Sequence, residues 1–483
     1  MRSTEYENRH AKRTQGIEVE MSQPREKPPS RCFGHFLLGF GICFGFRISF
    51  FGFSPMMIRQ VVVRLALLPV VFAVCLGLCA PVGAQGPAPQ KQPLAFPIIV
   101  PPPGNAQAPS LDCVVAFGPT VPTSALAFSP DGKTLAVGGY QEVLLWDLAN
   151  AKLAKRIGVG QIGDFVRCVA FRNNGQWLAV AEGTPYGPGA VKVFDVNSGQ
   201  PVLVFPEPKD AVFAVAFSPD GKLLAAGGAD KVARVWSVDE KKLATELKGH
   251  GDWILGVSFS ADGKFLATSG ADRTAQVWEV GTWKPVAKLD QMESVNGVAF
   301  GPNAELVAVA VSGPTDRMIR LRRRDNTQLA RPIDMGVPGP LGVVWAPAGN
   351  RMYVPLTDKT VRVYDPNNGA HVATLTGHTD WVYGVALSPD GAMLASASAD
   401  GTVKLWHTGE NRLLATLVQI TPRTEEWLIV APPGYLAASS LGAVQWRAAN
   451  LTTPPDKIPG VLQNPELVKK GLAGEKLPPP VLK

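Results

Sequence analysis

The chain has 483 residues, of which 46% are hydrophobic and 18% are charged, so its composition excludes a disordered protein. Its 49 glycines and 43 prolines favour a β-rich chain with many tight turns over a helical bundle. The formal charge of +7 comes mostly from the N-terminus, because residues 85–483 carry 37 Lys or Arg against 35 Asp or Glu. Composition therefore gives no argument for a nucleic-acid binder, and we expect no nucleic-acid partner.

The N-terminal sequence indicates export. Residues 56–84 combine a short basic start, an apolar core and small residues before Ala84, which is typical of a cleaved signal peptide. We therefore expect translation to begin at one of the first two methionines of this segment, and residues 1–55 to be an over-extended gene-model start. The mature chain would be periplasmic or secreted. The alternative is that residues 32–53 form an extra apolar segment that anchors the chain in a membrane, and this is the only membrane contact that we expect.

The stretch after the signal segment predicts a linker. Residues 85–110 are rich in proline, alanine and glutamine, which favours an extended tether. Only two of the six cysteines, Cys113 and Cys168, lie beyond the signal segment. Two cysteines make no disulfide framework, and the sequence leaves open whether they pair or remain buried free thiols.

One phrase recurs seven times over residues 124–417. It consists of an apolar strand, a turn resembling Ser-Pro-Asp-Gly, a second apolar strand, a turn that often contains Asp, and a third strand that usually ends in an aromatic residue. In the first turn Pro presets φ, Asp can bond to nearby backbone, and Gly accepts a positive φ. The residues that end the first strand recur every 41 to 46 positions; they are Phe128, Phe171, Phe217, Phe259, Phe300, Trp345 and Leu387.

Each unit has room for four strands, and in the last unit we expect them at 382–387, 393–398, 403–406 and 413–418. A single four-stranded sheet cannot bury both of its faces, whereas seven sheets packed radially bury one another. The sequence therefore predicts an all-β fold, a seven-bladed β-propeller of four-stranded blades over residues 111–420. A small C-terminal extension, with a hairpin and a short helix, would occupy residues 421–483.

Two dipeptides occupy fixed places in the units, and one of them occurs twice. Gly-His occurs at Gly249-His250 and Gly377-His378, and Trp-Asp occurs at Trp146-Asp147. Units four and seven, residues 249–280 and 377–408, are identical at 15 of 32 aligned positions. The chain therefore resembles the WD-repeat β-propeller family, and its N-terminus suggests a bacterial exported member. The resemblance implies a scaffold that binds other proteins.

The resemblance also implies a polar network in two blades. Its members are His250, Thr268, Asp272 and Trp278 in one blade and His378, Ser396, Asp400 and Trp406 in the other. The imidazole, hydroxyl, carboxylate and indole groups can satisfy one another's hydrogen bonds. A His–Ser–Asp set also suggests a hydrolytic triad, but its recurrence in two blades favours a structural network, because a catalytic site is normally unique.

Two further groups of residues are candidate binding sites. Loops beside the Gly-His positions form a candidate partner face, consisting of Asp252, Trp253, Asp380, Trp381 and Tyr186. An exposed tryptophan there could anchor a partner, and the alternative is a tryptophan buried between blades. A basic run is a candidate polyanion patch, with solvated strand residues as the alternative; it contains Arg320, Arg322, Arg323 and Arg324.

The sequence contains no recognisable motif for a hydrolase nucleophile, a zinc site or a phosphate loop, so we expect no catalytic residue, no metal and no cofactor. An enzyme would need titratable groups at the mouth of the central channel, where we expect Val382, Gly384 and Val385. The expected function is a non-catalytic scaffold that binds unidentified proteins as a monomer. A hydrolase, or a carbohydrate or cell-wall binder that uses the loops of one face, is the alternative.

The two ends of the propeller should be joined, because an open ring leaves sheet edges unpaired. We expect residues 111–117 to form the outer strand beside 413–418 in the last blade. The alternative is that residues 427–430 supply the closing strand or begin an eighth blade. Further on, Asn464 followed by Pro465 predicts the start of a short helix that ends before Gly474.

Overall fold

The computed structural model describes residues 93–98, 110–116, 122–327, 329–334, 339–442, 444–449 and 458–480. Residues 1–55 and the expected signal segment lie outside this part of the chain. Seven antiparallel sheets follow one another in the described sequence, and in each sheet the first four strands pair in chain order. The predicted seven-bladed propeller of four-stranded blades is therefore confirmed.

Two strands precede the propeller, β1 (Pro93–Ile98) and β2 (Ser110–Ala116). Blade 1 contains β3 (Leu126–Phe128), β4 (Thr134–Gly138), β5 (Val143–Asp147) and β6 (Lys152–Ile157). Blade 2 contains β7 (Val166–Phe171), β8 (Trp177–Gly183), β9 (Gly189–Asp195) and β10 (Pro201–Phe205). Blade 3 contains β11 (Val212–Phe217), β12 (Leu223–Gly228), β13 (Val232–Ser237) and β14 (Lys242–Lys248). Blade 4 contains β15 (Ile254–Phe259), β16 (Phe265–Gly270), β17 (Thr274–Glu279) and β18 (Pro285–Asp290).

Blade 5 contains β19 (Val295–Phe300), β20 (Leu306–Ser312), β21 (Arg317–Arg323) and β22 (Leu329–Asp334). Blade 6 contains β23 (Val344–Trp345), β24 (Met352–Pro355), β25 (Val361–Tyr364) and β26 (His371–Leu375). Blade 7 contains β27 (Val382–Leu387), β28 (Met393–Ser398), β29 (Thr402–His407) and β30 (Arg412–Gln419). The C-terminal extension contains β31 (Trp427–Ala431), β32 (Tyr435–Ala438), β33 (Val444–Ala449), α1 (Ile458–Leu462) and α2 (Pro465–Leu472).

The Ser-Pro-Asp-Gly turns join the first and second strands of their blades. In blade 1 the Ser129 hydroxyl donates to Asp131 Oδ1 at 2.6 Å, and the Lys133 N–H donates to the same oxygen at 3.1 Å. These hydrogen bonds hold the pKa of Asp131 below its ordinary value. Gly132 has φ +71°, a conformation that glycine adopts without strain. The turn carboxylates therefore act in local structure, as the sequence suggested.

The core lies between neighbouring blades. The second and third strands are buried along almost their whole length, because each sheet is covered on both faces. The terminal tryptophan of a blade packs against the preceding blade: Trp278 of blade 4 shares a cluster with Leu247 and Val235 of blade 3. This packing explains why apolar and polar residues do not alternate regularly along these strands.

Blades 7 and 1 meet through the same kind of contact that joins consecutive blades. The Thr123 N–H donates to Ser398 O at 3.2 Å, and the matching Val166 N–H donates to Gly139 O, also at 3.2 Å, between blades 1 and 2. Side chains of both blades form one buried cluster, which includes Trp146 of blade 1. The ring is therefore closed by blade-to-blade packing.

The predicted closing strand was wrong. Strand β2, which contains most of residues 111–117, pairs with β1 and β33 and not with blade 7. The outer edge of β30 is occupied by β31, with Thr416 opposite Val430, so the alternative segment is the one found at this position. Strand β31 follows β30 after a short connection, and closing a short loop costs less entropy than returning the distant N-terminal segment.

The C-terminal extension covers the junction of blades 7 and 1. Strands β31 and β32 continue the sheet of blade 7 to six strands. The Leu467 N–H donates to Asn464 Oδ1 at 3.1 Å, which confirms the predicted helix start, and α2 buries Val468 and Leu472 against the cluster of blades 7 and 1. Strand β1 shows that part of the expected linker at residues 85–110 is a paired strand.

Candidate functional site

The eight predicted network residues lie together in two sets of four. In blade 7 the Nδ1 atom of His378 lies 3.0 Å from Asp400 Oδ2, and its Nε2 atom lies 2.8 Å from Ser396 Oγ. The indole N–H of Trp406 donates to the same hydroxyl oxygen at 2.8 Å. These distances give one consistent set of protons: Nδ1–H donates to the carboxylate, and the hydroxyl donates to Nε2.

Blade 4 repeats this geometry. His250 lies 3.0 Å from Asp272 Oδ2 and 2.8 Å from Thr268 Oγ1, which accepts the indole N–H of Trp278 at 3.1 Å. The hydroxyl residue is thus the one aligned in the sequence, with no shift along the strand. Thr268 is completely buried and the imidazole is nearly so, which leaves no exposed nucleophile for a substrate to reach. The geometry favours the structural interpretation of both networks.

Each network has one further member that the sequence did not predict. Thr402 Oγ1 donates to Asp400 Oδ1 at 2.7 Å, and Thr274 Oγ1 donates to Asp272 Oδ1 at 2.9 Å. A backbone N–H also donates to each carboxylate at 2.8 Å, from Thr379 in blade 7 and from Gly251 in blade 4. The signal was present, because both units place a threonine two residues after the aspartate.

Burial and hydrogen bonds set the protonation states of His378 and Asp400 in blade 7. Burial lowers the pKa of His378 below its ordinary value, although Asp400 works in the opposite direction. Burial alone would raise the pKa of Asp400, but the donors from His378, Thr379 and Thr402 outweigh it and lower the pKa to about 2. Near neutral pH the pair is therefore a neutral imidazole that donates to a carboxylate, and this matches the proton arrangement inferred from the distances.

Three blades without Gly-His use another pair at the same place. An aspartate of the turn between the second and third strands binds an arginine four residues later, as Asp316 binds Arg320 at 2.6 Å. The same pairing joins Asp230 to Arg234 and Asp358 to Arg362. An arginine from the third strand thus replaces the histidine from the loop.

The basic run does not form one exposed patch. Arg320 is held by Asp316, and Arg324 donates to Ala304 O at 3.0 Å while its guanidinium carbon lies 4.4 Å from the Phe265 ring centroid. Arg322 is half-buried, and burial lowers its pKa. Only Arg323 of the four has an exposed side chain. The geometry therefore offers little to a polyanion at this run.

The candidate partner face, called the upper face below, is the side of the propeller that carries the loops of His250 and His378. Tyr186 is 80% exposed, and its ring meets the Trp253 ring edge to face, with centroids 6.2 Å apart and planes at 67°. The Phe213 ring also contacts Trp253, with centroids 5.5 Å apart and planes at 45°. The upper face therefore presents an aromatic cluster of Tyr186, Trp253 and Phe213 that spans blades 2, 3 and 4.

Tyr186 is held in place by a strained hairpin. Its φ of +67° is unusual for a bulky residue, and its N–H donates to Asp210 Oδ1 at 2.8 Å. Folding alone gains little from an aromatic ring that is mostly in water.

The other predicted face residues lie in the corresponding loops of blades 4 and 7. Asp252 and Asp380 are exposed, and each accepts the N–H of the following tryptophan, at 2.9 and 2.8 Å. Trp381 is half-buried and meets Tyr383 edge to face at 6.4 Å. Blade 7 thus carries a second, smaller aromatic pair.

The residues at the upper end of the innermost strands, where the central channel opens, are not all the predicted ones. Val382 is fully buried between blades, so it does not line the channel mouth. A bulge takes the next residue out of the ladder, and the same bulge recurs in five blades; the bulged residues are Arg167, Phe213, Leu255, Asn296 and Tyr383. These five positions could not be predicted from the sequence, because strand alternation alone does not reveal a bulge.

Three further features of the described residues concern metal-binding groups, membrane-spanning helices and cysteines. The described residues contain no group of three or more His, Cys, Asp or Glu that could hold a metal ion. No helix in the described ranges is long and apolar enough to cross a membrane. Cys168 is a free thiol whose pKa is raised by burial, and the side chain of Cys113 lies outside the described residues.

Comparison with known proteins identifies the repeats. The family "WD domain, G-beta repeat" matches residues 112–147, 199–237, 241–279 and 369–407. The chain is 27% identical over 279 residues to the B-type cell cycle switch protein ccs52A of Medicago truncatula, a match that covers 56% of this chain and 57% of the relative. It is 30% identical over 201 residues to the nuclear distribution protein PAC1 of Arthroderma otae, covering 41% and 36%.

A third relative, protein FIZZY-RELATED 3 of Arabidopsis thaliana, is 25% identical over 291 residues, covering 59% of each chain. The chain thus spans between about a third and three-fifths of the length of these curated relatives. All three are plant or fungal proteins, so they do not support the bacterial type that the N-terminus suggested.

Proposed function

Because the chain carries WD40 repeats in a seven-bladed propeller, we propose that it is a non-catalytic scaffold that binds other proteins through its upper face. The observation that carries this proposal is the aromatic cluster of Tyr186, Trp253 and Phe213. Large, rigid aromatic rings are the side chains that most often anchor protein interfaces. The relatives are named for cell-cycle switching and nuclear distribution, and neither name denotes an enzyme.

The contacts of the buried networks support the absence of catalysis. His378, Ser396 and Asp400 bond to one another, and the same set recurs in blade 4. A hydrolase would need one exposed set with room for a substrate. The aromatic cluster also differs from a sugar platform, because its rings of Tyr186 and Trp253 stand at 67° and offer no flat surface.

The proposal is tested by capturing partners on the immobilised full chain. We expect a discrete set of proteins that is lost when Tyr186 and Trp253 are both changed to alanine. The matched control is Trp283→Ala, which removes a tryptophan of blade 4 from the hairpin between its third and fourth strands, on the opposite face. Capture that survives the double substitution, or that is lost equally in the control, would contradict a binding role for the upper face.

We also propose that the mature chain is extracytoplasmic. The support is the signal-like sequence of residues 56–84, with its basic start, apolar core and small residues. N-terminal sequencing of the protein from its native host should find Gln85 as the first residue. A chain that retains residues 1–55 would contradict both the late start and the cleavage.

A further inference from the structure

Arg167 lies at the upper end of β7, in the bulge that interrupts the ladder between Val166 and Cys168. Its Nε–H donates to Gly183 O at 2.8 Å, and its guanidinium carbon lies 5.4 Å from the Phe165 ring centroid. Gly183 begins the hairpin that carries Tyr186. The guanidinium group therefore lies at the base of the hairpin that holds one ring of the aromatic cluster.

A second arginine of the same blade has the same kinds of neighbour, a backbone carbonyl and an aromatic ring, and one more group besides. Arg172 donates through Nε to Gly221 O at 2.9 Å, and its guanidinium carbon lies 4.8 Å from the Trp177 ring centroid. Its Nη2 atom also lies 2.8 Å from a carboxylate oxygen of Asp239. No described carboxylate lies within 4 Å of Arg167, so its environment lacks the one group that completes the environment of Arg172.

The missing carboxylate matters energetically because Arg167 is buried. Arg167 and Arg234 are the two described arginines that are more than nine-tenths buried, at 8% and 4% exposure. Arg234 contacts two carboxylates, those of Asp230 and Glu246, whereas Nη2 of Arg167 has no hydrogen-bond partner in the described structure. A buried cation without a counter-ion costs stability, so a protein tends to keep one where a ligand supplies the opposite charge.

We propose that Arg167 binds the carboxylate of an acidic side chain in a partner protein, next to an apolar side chain that packs on the aromatic cluster. The proposal rests on the scaffold function proposed above and states the chemistry of its partner. The Nη1 group is the donor left for this contact, because Nε already donates to Gly183 O and Nη2 is buried, and a hydrogen bond to a charged carboxylate is stronger than a neutral one. Phe213, which holds the same bulge position in blade 3, supplies the apolar neighbour.

The experiment selects peptides from a random displayed library on the immobilised full chain. We expect the enriched sequences to share an Asp or Glu beside an aromatic or aliphatic residue. A synthetic peptide of that sequence should bind, by fluorescence anisotropy, at least about tenfold more weakly to Arg167→Met than to the wild type. Arg172→Met is the matched control and should leave the affinity unchanged.

The pairing itself is tested with an amide version of the peptide, in which Asn or Gln replaces the acid. This change should weaken binding to the wild type and have no further effect on Arg167→Met, because the charge it removes has no partner there. The thermal midpoint of Arg167→Met should fall only modestly, because the hydrogen bond to Gly183 O is lost but no ion pair is. A lowered midpoint with unchanged peptide affinity would show that Arg167 only supports the fold.

The outcomes separate the two proposals. Enriched peptides that lack an acid and depend on Trp253 would overturn the role of Arg167 and leave the scaffold function standing. Peptides that bind equally well to the Tyr186 and Trp253 double variant, or no enrichment at all, would overturn both. An acid-containing peptide that loses affinity equally in Arg167→Met and Arg172→Met would overturn the specific pairing.

Discussion

Single residues in this propeller act within repeated polar sets. Where a blade has Gly-His, histidine, aspartate and a hydroxyl residue satisfy one another, as His378, Asp400 and Ser396 do in blade 7. In three of the blades without the histidine, an aspartate and an arginine four residues apart take the same place, as Asp316 and Arg320 do. Both solutions tie the turn between the second and third strands to the sheet. The indole of Trp236, in a blade with neither histidine nor hydroxyl, has no described acceptor.

We expect Asp400→Ala to lower the free energy of unfolding by about 1–3 kcal/mol, because it leaves buried donors of His378 and Thr402 without an acceptor. Asp272→Ala should cause a similar loss, since blade 4 has the same contacts. Urea denaturation of both variants measures this. An unchanged stability for Asp400→Ala would contradict the structural interpretation and make a catalytic role the better explanation.

At the scale of strands and blades, each sheet is built from consecutive strands, so the junction of blades 7 and 1 needs contacts of its own. Glu142 of blade 1 is almost completely buried and pairs with Arg156 at 2.6 Å. Its other oxygen accepts Gln419 Nε2 and the N–H of Arg423, both at 2.9 Å, from the end of β30 and the turn after it. One carboxylate therefore joins the first blade to the last.

Glu142→Gln should weaken this junction, because the amide cannot replace the charge that faces Arg156, and it should cost about 1–3 kcal/mol of stability. Hydrogen exchange of the Thr123 N–H, which crosses from blade 1 to blade 7, should speed up more than that of the Val166 N–H, which crosses from blade 2 to blade 1. Glu182→Gln is the control, because Glu182 pairs with Lys192 inside blade 2. Equal acceleration at both amides would argue against a specific role at the junction.

The stability of the whole molecule should depend on pH through the titratable groups of its two polar networks. Burial lowers the pKa of both His250 and His378, whereas an unfolded histidine titrates near about 6.5. As the pH falls through this unfolded value, the unfolded chain binds protons before the folded one does. The free energy of unfolding should therefore fall as the pH falls below about 6.5. A second loss of stability should follow below about pH 4, because an unfolded aspartate takes up its proton near that pH, whereas the pKa of Asp400 in the folded chain is about 2.

Urea denaturation at pH 7.5, 6.5 and 5.5 should show this decline in the wild type. His378→Gln should reduce the pH dependence, because the substituted side chain does not titrate, and His250→Gln should reduce it further in combination. His371→Gln, which changes an exposed histidine of β26, should keep the dependence of the wild type. A slope that is the same in all variants would show that other groups control acid stability.

Much of this protein could be predicted from its sequence, because its information is local and repeated. A turn such as Ser129–Gly132 and a strand such as Met393–Ser398 are specified by neighbouring residues. The unit occurs seven times, so its pattern can be recognised even where single copies deviate. The pairs of residues in the blade 4 and blade 7 networks could be aligned for the same reason. The propeller, the network residues and the helix start at Asn464 therefore needed no tertiary information, whereas the structure alone showed that residues 427–430 extend blade 7 and do not begin an eighth blade.

Features that depend on residues distant in the sequence were decided only by the tertiary structure. The edge of β30 was open to two segments, and packing against blade 1 together with a short connection placed β31 there rather than β2. The bulge that takes Arg167 out of its ladder and the missing carboxylate beside it depend on loops from several elements. A sequence pattern records which side chains are present, whereas the balance of charge around a buried group depends on which of them meet in space.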